Sequence, residues 1–491
     1  MFAAVTSVAL VGVDPVPIRV EVHVGGSKPL FGLVGLPDTA VREAKERVRA
    51  ALSSAGYPFP NRRITVNLAP ADIPKAGSAY DLPIALGVLA ASRVVPPGVG
   101  EVVALGELAL DGVVRPARGA LGAASVAAAA GRPCLVHPGS VGEAALVGGA
   151  EVRGVRSLGH AVAVALGEDD GDDADAALGE AVAPVRVPDL GVVRGQRVAR
   201  RALEVAAAGG HHLLLEGPPG AGKTLLARCL PGILPVPSRE EGLEVARAWA
   251  AAGRRPVPGR PPFRSPHHTA STAAMIGGGS GVPVPGELTL AHRGVLFLDE
   301  LGEFPPHLLD ALRQPIEEGV VHVARKGISV RFPCSVQIVA ASNPCPCGYA
   351  GDRVRSCRCT PGAVARYRRR LSGPLADRLD MRVVVPRLDP GDLLGPAGEA
   401  SAPVAARVSA ARERQEGRGR LNRDMGRAEL DALAWDTAAV EHLLDAVARL
   451  GLSARGFDRV RRVALTLADL AGIAAPGERQ VAEAVALRGP G

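Results

Sequence analysis

Aromatic residues make up only 3% of this 491-residue sequence, which counts against a binding mode that stacks bases on several rings. Lysine is scarcer still: Lys28, Lys45, Lys75, Lys223 and Lys326 are the only five, against 52 arginines. With heavy use of Ala and Gly, this has the look of a GC-rich coding sequence, and a lysine retained under such a bias is a place to look for chemistry. No apolar run reaches the roughly 20 residues that span a bilayer, and the opening MFAAVTSVALVGVDP has no basic start. Neither a signal peptide nor a membrane span is therefore expected, and the expected location is cytoplasmic. Seven cysteines, four of them between 345 and 359, do not make a secreted disulfide framework in a chain of this length.

What is present is ordinary globular material, 47% hydrophobic and 22% charged, long enough for two to four domains. A net charge of +7 hints weakly at a polyanionic partner. The clearest break is GEDDGDDADAALGEAVAPVRVPD, residues 167–189, acidic and then Ala/Pro-rich, which reads as a linker. It separates an α/β region, 1–166, from a second one, 190–390. In the first, Ile18–Val24 and Arg63–Leu68 have strand character, and Thr39–Ala55 reads as a helix with Val41, Ala44, Val48 and Leu52 on one face. A Gly/Pro/Ala-rich stretch, 391–404, leads into a helical tail, 405–491, where Val440, Leu443, Leu444, Val447 and Leu450 recur at helical spacing. No short internal repeat is found.

The apolar strand LLLE, 213–216, runs into GPPGAGKT (Gly217, Pro218, Pro219, Gly220, Ala221, Gly222, Lys223 and Thr224) and then the helical LLARCL. Strand, glycine loop and helix in that order give the phosphate-loop motif its meaning. The glycines let backbone N–H groups curl around phosphates, and the helix N-terminus adds partial positive charge. Lys223 reaches the β- and γ-phosphates of ATP, and Thr224 is placed to hold Mg²⁺. The second half is VLFLDE, Val295–Glu300: a buried strand whose Asp299 can bind Mg²⁺ and whose Glu300 can orient and deprotonate water. A third strand, VQIVAASN, ends in Asn343, either a hydrogen-bond partner for that water or the γ-phosphate, or a plain turn residue before Pro344.

FRSPHHTAS (263–271), PGELTLAHRGVLFLDE (285–300), NPCPCG (343–348) and RLSGPLADRLD (370–380) closely resemble the magnesium-chelatase-like AAA+ proteins called YifB or ComM. The resemblance extends from GLPDTAVREAKERVRAAL (35–52) to LSARGFDRVRRVALTLADL (452–470). It implies an α/β multidomain chain: an N-terminal ribosomal-S5-like domain of the Lon and RadA type, a central P-loop AAA+ domain with a parallel sheet, and a C-terminal helical lid. It further implies an ATPase assembled as a hexamer, with ATP between subunits, acting as a helicase in DNA branch migration during natural transformation. Arg378 in LADRLD matches the arginine supplied by a neighbouring subunit, and Arg455 in LSARGF the lid arginine that senses nucleotide; for each, an ion-paired surface arginine is the alternative.

VVHVARKGISVRF, 320–332, reads as two strands around a basic tip, Arg325 and Lys326. Related helicases carry a pore hairpin here that touches the DNA backbone; an ordinary solvated turn is the other reading. The run 353–370 holds seven arginines, suited to phosphates or to a solvated face. Cys345, Cys347, Cys357 and Cys359 form two C-x-C pairs that can close a tetrahedral Zn²⁺ site or remain reduced thiols or a redox pair. Cys229 and Cys334 lie in apolar surroundings and read as core. His267 and His268 have no carboxylate or cysteine at ligand spacing and are not assigned to a metal. The Lon-like resemblance raises a Ser-Lys hydrolase, with Lys75 and Ser78 close in KAGSAYDLPIAL, but alanine falls at the nucleophile position and VVRPARGALG, 113–122, has no lysine. The N-terminal domain is thus read as a DNA- or partner-binding module, not a protease. The competing reading of the whole is a chelatase-type chaperone that remodels a protein.

Overall fold

A computed structural model describes residues 1–489, apart from 174–185, 256–258, 280–282, 326–327, 353, 372–374 and 376–377. Period-two alternation makes the first hairpin. β1 (Phe2–Val11) pairs antiparallel with β2 (Asp14–Gly25), in which Ile18, Val20, Val22 and Val24 are buried and the residues between them are not. β3 (Leu30–Val34) runs parallel to β4 (Arg63–Ala69), which is antiparallel to β2. β5 (Val103–Ala104) follows, then a small hairpin of β6 (Glu107–Leu108) and β7 (Val114–Arg115), then β8 (Cys134–Val136) and β9 (Val152–Gly154). The sheet order is β3-β4-β2-β1-β5-β8-β9. The helix expected at 39–55 is present as Thr39–Arg42 and Ala44–Ser54, opened by Asp38 accepting the Val41 N–H at 2.8 Å. Its face of Val41, Ala44, Val48 and Leu52 is fully buried.

The start of the acidic segment is fastened to this unit. Asp172 exchanges backbone hydrogen bonds with Gly154 and ion-pairs with Arg156. Residues 174–185 of that segment lie outside the described residues.

The second sheet begins with β10 (Leu213–Glu216) and β11 (Phe263–Arg264). A short hairpin, β12 (Gly277–Gly278) and β13 (Val284–Pro285), precedes β14 (Val295–Leu298). A longer hairpin, β15 (Val320–Arg325) and β16 (Ile328–Pro333), comes before β17 (Gln337–Ser342), and β18 (Met381–Val384) closes the set. The order is β11-β14-β17-β10-β18, every pair parallel. β10, β14 and β17 are buried along their whole length, as continuous apolar strands in a parallel sheet must be. β10 sits between the two last strands of the chain, so the order reverses at its C-terminal end, where α/β sheets open a crevice.

The C-terminal helices Ser401–Glu416, Thr437–Leu450, Ala454–Ala471 and Glu478–Arg488 share one apolar core with β10 and the helix Arg197–Gly209, through Val404, Val408, Leu443, Val463 and Leu467. The stretch 391–404 contains the rest of a short helix, Pro390–Leu394, and the first residues of Ser401–Glu416. One detail of the apolar pattern is corrected. Thr437–Leu450 buries Ala439, Leu443 and Ala446 and exposes Val440, Leu444 and Leu450. Two of the three buried positions are small alanines, and the helix packs against Glu478–Arg488.

The two sheets touch where the β1–β2 turn meets the longer hairpin. Val11 and Val13 pack against the core beneath β15 and β16, and Gly12, at φ +68°, places its Cα hydrogens where a Cβ would stand 3.1 Å from the Arg331 carbonyl. Among the described residues no helix is long and apolar enough to cross a membrane.

Candidate nucleotide site

β10 delivers the chain to Gly217, whose N–H donates to the Ser342 carbonyl at 3.1 Å. A Cβ here would stand 2.1 Å from the Val385 carbonyl oxygen, so only glycine passes between the ends of β17 and β18. Gly220 and Gly222 are needed for conformation instead, at φ +78° and +93°, with open space on the side a Cβ would occupy. Gln196 braces the loop from behind: its amide donates to the Ala221 carbonyl at 3.3 Å and to the Pro386 carbonyl at 2.7 Å. Lys223 opens the helix Lys223–Cys229, and its ammonium donates to the carbonyls of Gly217 at 2.6 Å and Pro218 at 3.0 Å and to Asn343 Oδ1 at 3.1 Å. Burial holds Lys223 below the usual lysine range, against the pull of Asp299, Glu300 and Glu216.

The Thr224 hydroxyl donates to Asp299 Oδ2 at 2.8 Å, joining the glycine loop to the acidic strand end. A hydroxyl and a carboxylate side by side form the oxygen donor set a hard cation such as Mg²⁺ prefers. Glu300, half exposed, has φ 53° and ψ 48°, a left-handed conformation uncommon for a residue with a side chain and found where surroundings enforce it. Its Oε2 lies 3.4 Å from His268 Nδ1. His268 in turn meets Phe304 edge-on at 6.4 Å and packs on His267 at 4.1 Å. The sequence offered no ligand role for these histidines, and only the fold places His268 beside the acid. Gln196 was missed as well, since a brace from another helix has no local signature.

Arg378 and Arg455 lie at the other end of the sheet. Arg378 precedes β18, whose Met381 is in register with Leu213, the first residue of β10, while the glycine loop follows its last. Arg378 ion-pairs with Glu317, and its Nε is buried without a hydrogen-bond partner. Its guanidinium is held below the usual arginine range by burial and then by the nearby charges of Arg455 and Arg313. Arg455 begins the helix Ala454–Ala471, one turn ahead of Arg459, which reaches Asp380 at 3.8 Å. The charge of Arg455 is thus near enough to act on Arg378, which stands at the opposite end of β10 from the glycine loop of its own chain. A cavity of about 680 Å³ opens at this same end, lined by Glu317, Arg293, Arg331 and Arg423, and contains none of the glycine loop.

β15 and β16 are in register from Val320–Pro333 to Arg325–Ile328, which is the expected hairpin. Lys326, and the side chain of Arg325, lie outside the described residues. The helix Pro361–Leu371 is anchored by buried Tyr367, and Arg366, Arg368, Arg369 and Arg370 are exposed around it; Arg353 lies outside the described residues. Cys345, Cys347, Cys357 and Cys359 converge, with all four sulfurs within 4.8 Å of one another, and can hold a metal ion. Cys229 and Cys334 are buried in the core, as is Cys134. In the first sheet, the Ser78 hydroxyl is bound to Glu107, and Lys75, fully buried, donates to the Pro70 carbonyl.

A glycine loop, an acidic strand end and a polar residue on the strand between them, at the C-terminal edge of a five-stranded parallel sheet, are the arrangement of a P-loop protein, here of the magnesium-chelatase type. The models that match say so: magnesium chelatase, subunit ChlI, over residues 189–393, subunit ChlI of Mg-chelatase over 20–140, and the subunit ChlI C-terminal region over 398–488. Within that class the chain belongs to the YifB/ComM family. It is 44% identical to YifB of Salmonella typhimurium over 99% of this chain and 97% of that protein. It is 43% identical to an uncharacterized protein of Mycobacterium tuberculosis (strain H37Rv), covering 99% and 98%. It is 40% identical to the competence protein ComM of Haemophilus influenzae, covering 99% and 97%.

Proposed function

We propose that this chain is an ATP-hydrolysing AAA+ motor that acts on single-stranded or branched DNA as a ring, most simply a hexamer, in the cytoplasm. The observation that carries the ATPase reading is the 2.8 Å contact of Thr224 with Asp299, which pre-forms a Mg²⁺ site beside the phosphate loop. Gly217–Thr224 would cradle the phosphates, with Lys223 exchanging its loop carbonyls for phosphate oxygens. Mg²⁺ supplies charge neutralisation at the phosphates when bound. Glu300 takes the proton of the attacking water, and Asn343, already bonded to Lys223, holds the γ-phosphate side of the site.

Arg378 and Arg455 stand too far along the sheet to serve their own loop, since a strand rises about 3.3 Å per residue and β10 separates them from it. A ring places that end of one subunit against the loop of the next, so both arginines act in the neighbour's site. The domain boundaries that go with this reading are an N-terminal module to residue 166, a linker of 167–189, the ATPase domain from 190 to 390, a connection of 391–404 and helices from 405 onward. The N-terminal module binds DNA or a partner and does not cleave peptides, because Ser78 is bonded to Glu107 and Lys75 to a carbonyl.

DNA is favoured as the substrate by the basic hairpin of β15 and β16, by the exposed arginines of Pro361–Leu371, and by a near-full-length relative named for competence. The test is ATP-dependent displacement of a labelled strand from a forked DNA. Displacement with ATP and none with a non-hydrolysed analogue supports the motor. Failure on forked and branched DNA alike would leave a chelatase-type remodeller of proteins as the better reading.

A further inference from the structure

The four clustered cysteines stand at the nucleotide site itself. Cys345 follows Asn343 by two residues, and Asn343 accepts a hydrogen bond from Lys223 at 3.1 Å. The turn after Cys347 lies on the glycine loop: at Gly348, φ +85°, a Cβ would stand 2.6 Å and 2.8 Å from ring atoms of Pro219. Further on, Asp352 pairs at 3.3 Å with Arg387, which follows the end of β18 on the other flank of the loop. The stretch 343–352 is therefore tied to Lys223, to Pro219 and to the strand end beside Gly217. It forms one wall of the site.

That wall has almost no apolar core of its own, because only Cys345 among the four is fully buried. Its sulfurs are arranged for a metal. A tetrahedral zinc with bonds of about 2.3 Å to sulfur sets S···S edges of about 3.8 Å. Here Cys345 and Cys347 are 3.4 Å apart, Cys347 and Cys357 3.6 Å, and Cys345 and Cys357 3.7 Å. A disulfide would require about 2.05 Å, and all four thiols are free. Backbone amides are aimed at the sulfurs as well: Ala350 N–H at Cys345, at 3.3 Å, and Cys347 N–H at Cys359 and Cys359 N–H at Cys357, each at 3.4 Å. Such donors stabilise thiolate charge and fix ligand orientation around a metal. Four soft thiolates in this geometry select Zn²⁺ over the hard Mg²⁺ of the Thr224–Asp299 pair.

We propose that Cys345, Cys347, Cys357 and Cys359 bind one Zn²⁺, and that this zinc-pinned wall holds Pro219 and Asn343 in place, so that zinc occupancy sets the affinity for ATP. This rests on the nucleotide-site reading above. Zinc binding to a segment without a core supplies the free energy that orders it. Its loss releases the contacts at Gly348 and Asn343 together.

The experiment uses the full chain purified without chelator. Elemental analysis gives one zinc per chain, and titration with a fluorescent ATP analogue gives the nucleotide affinity. Cys359→Ser, at the partly exposed end of the cluster, loses the zinc and weakens nucleotide binding by about tenfold or more, with an unchanged far-ultraviolet circular dichroism spectrum. Gly348→Ala keeps the zinc and weakens binding in the same direction, which separates the contact from the metal. A zinc-free Cys359→Ser protein that binds nucleotide as tightly as the unaltered chain overturns this inference alone, as does a native protein that carries no zinc or carries iron. A zinc-loaded protein that binds no nucleotide overturns both this inference and the ATPase reading.

Discussion

His268 Nδ1 and Glu300 Oε2 lie 3.4 Å apart, although His268 follows β11 and Glu300 follows β14, with a long excursion between the two strands. Phe304 and His267 pack on the imidazole, which places His268 to orient the carboxylate proposed to accept the proton of water. The base-and-orienter pair is the same logic by which a third group fixes a catalytic base elsewhere. His268→Ala is expected to lower kcat by about 10-fold to 100-fold, less than loss of the base itself, with KM for ATP nearly unchanged. His268→Gln, which restores a hydrogen-bonding group, should recover part of the rate. Steady-state kinetics decide it: a raised KM at unchanged kcat would make His268 a nucleotide-binding or structural residue instead.

Glu300→Gln should bind ATP as the unaltered chain does and hydrolyse it about 10²-fold to 10⁴-fold more slowly, the span a general base contributes. Lys223→Ala should fail earlier, at binding, because the phosphate charge loses its partner. Nucleotide titration alongside phosphate release separates the two, and a Glu300→Gln protein with normal turnover would remove that residue from the mechanism.

Arg378 lies at the end of the sheet remote from Gly217–Thr224, and the charge of Arg455 is near enough to act on it. Arg378→Ala and Arg455→Ala should each leave nucleotide binding near normal and abolish hydrolysis. Mixing Arg378→Ala chains with Glu300→Gln chains should restore part of the activity, because mixed rings contain interfaces with both residues intact. Absence of rescue in rings shown to be mixed would place Arg378 outside the neighbour's site.

Arg325 ends β15 and Lys326 follows it in the sequence, and adjacent cations at a turn suit phosphate rather than base contacts. Changing both to Ala should weaken DNA binding equally across sequences and reduce the salt slope by up to about two phosphate contacts. Basal ATP hydrolysis should persist. Binding isotherms at several salt concentrations check this, and an unchanged slope would put the DNA elsewhere on the chain.

The candidate nucleotide site was legible where chemistry imposes a local pattern. Gly217–Thr224, Asp299 and Glu300 each follow an apolar strand, and Asn343 ends a third, so the strands that carry them could be read with the motif. The β15–β16 hairpin was readable for the same reason, from alternation on both sides of a turn. What local pattern cannot carry is the meeting of distant segments. His268 reaches Glu300 only because β11 lies beside β14, Gly348 reaches Pro219 only because β17 lies beside β10, and the proximity of Arg455 to Arg378 depends on how the last helices pack. The buried face of Thr437–Leu450 was misjudged because its alanines carry little hydropathic signal, yet close helix packing prefers them to the leucines beside them.

Coupling of ATP hydrolysis to DNA, as proposed above, is read from the steady-state ATPase rate with and without single-stranded DNA. Glu300→Gln serves as the blank that subtracts contaminating hydrolysis. A measurable basal rate should rise on adding single-stranded or forked DNA, with the increase lost in the Arg325→Ala, Lys326→Ala double variant. A rate that exceeds the blank but ignores DNA of every structure would contradict the coupling.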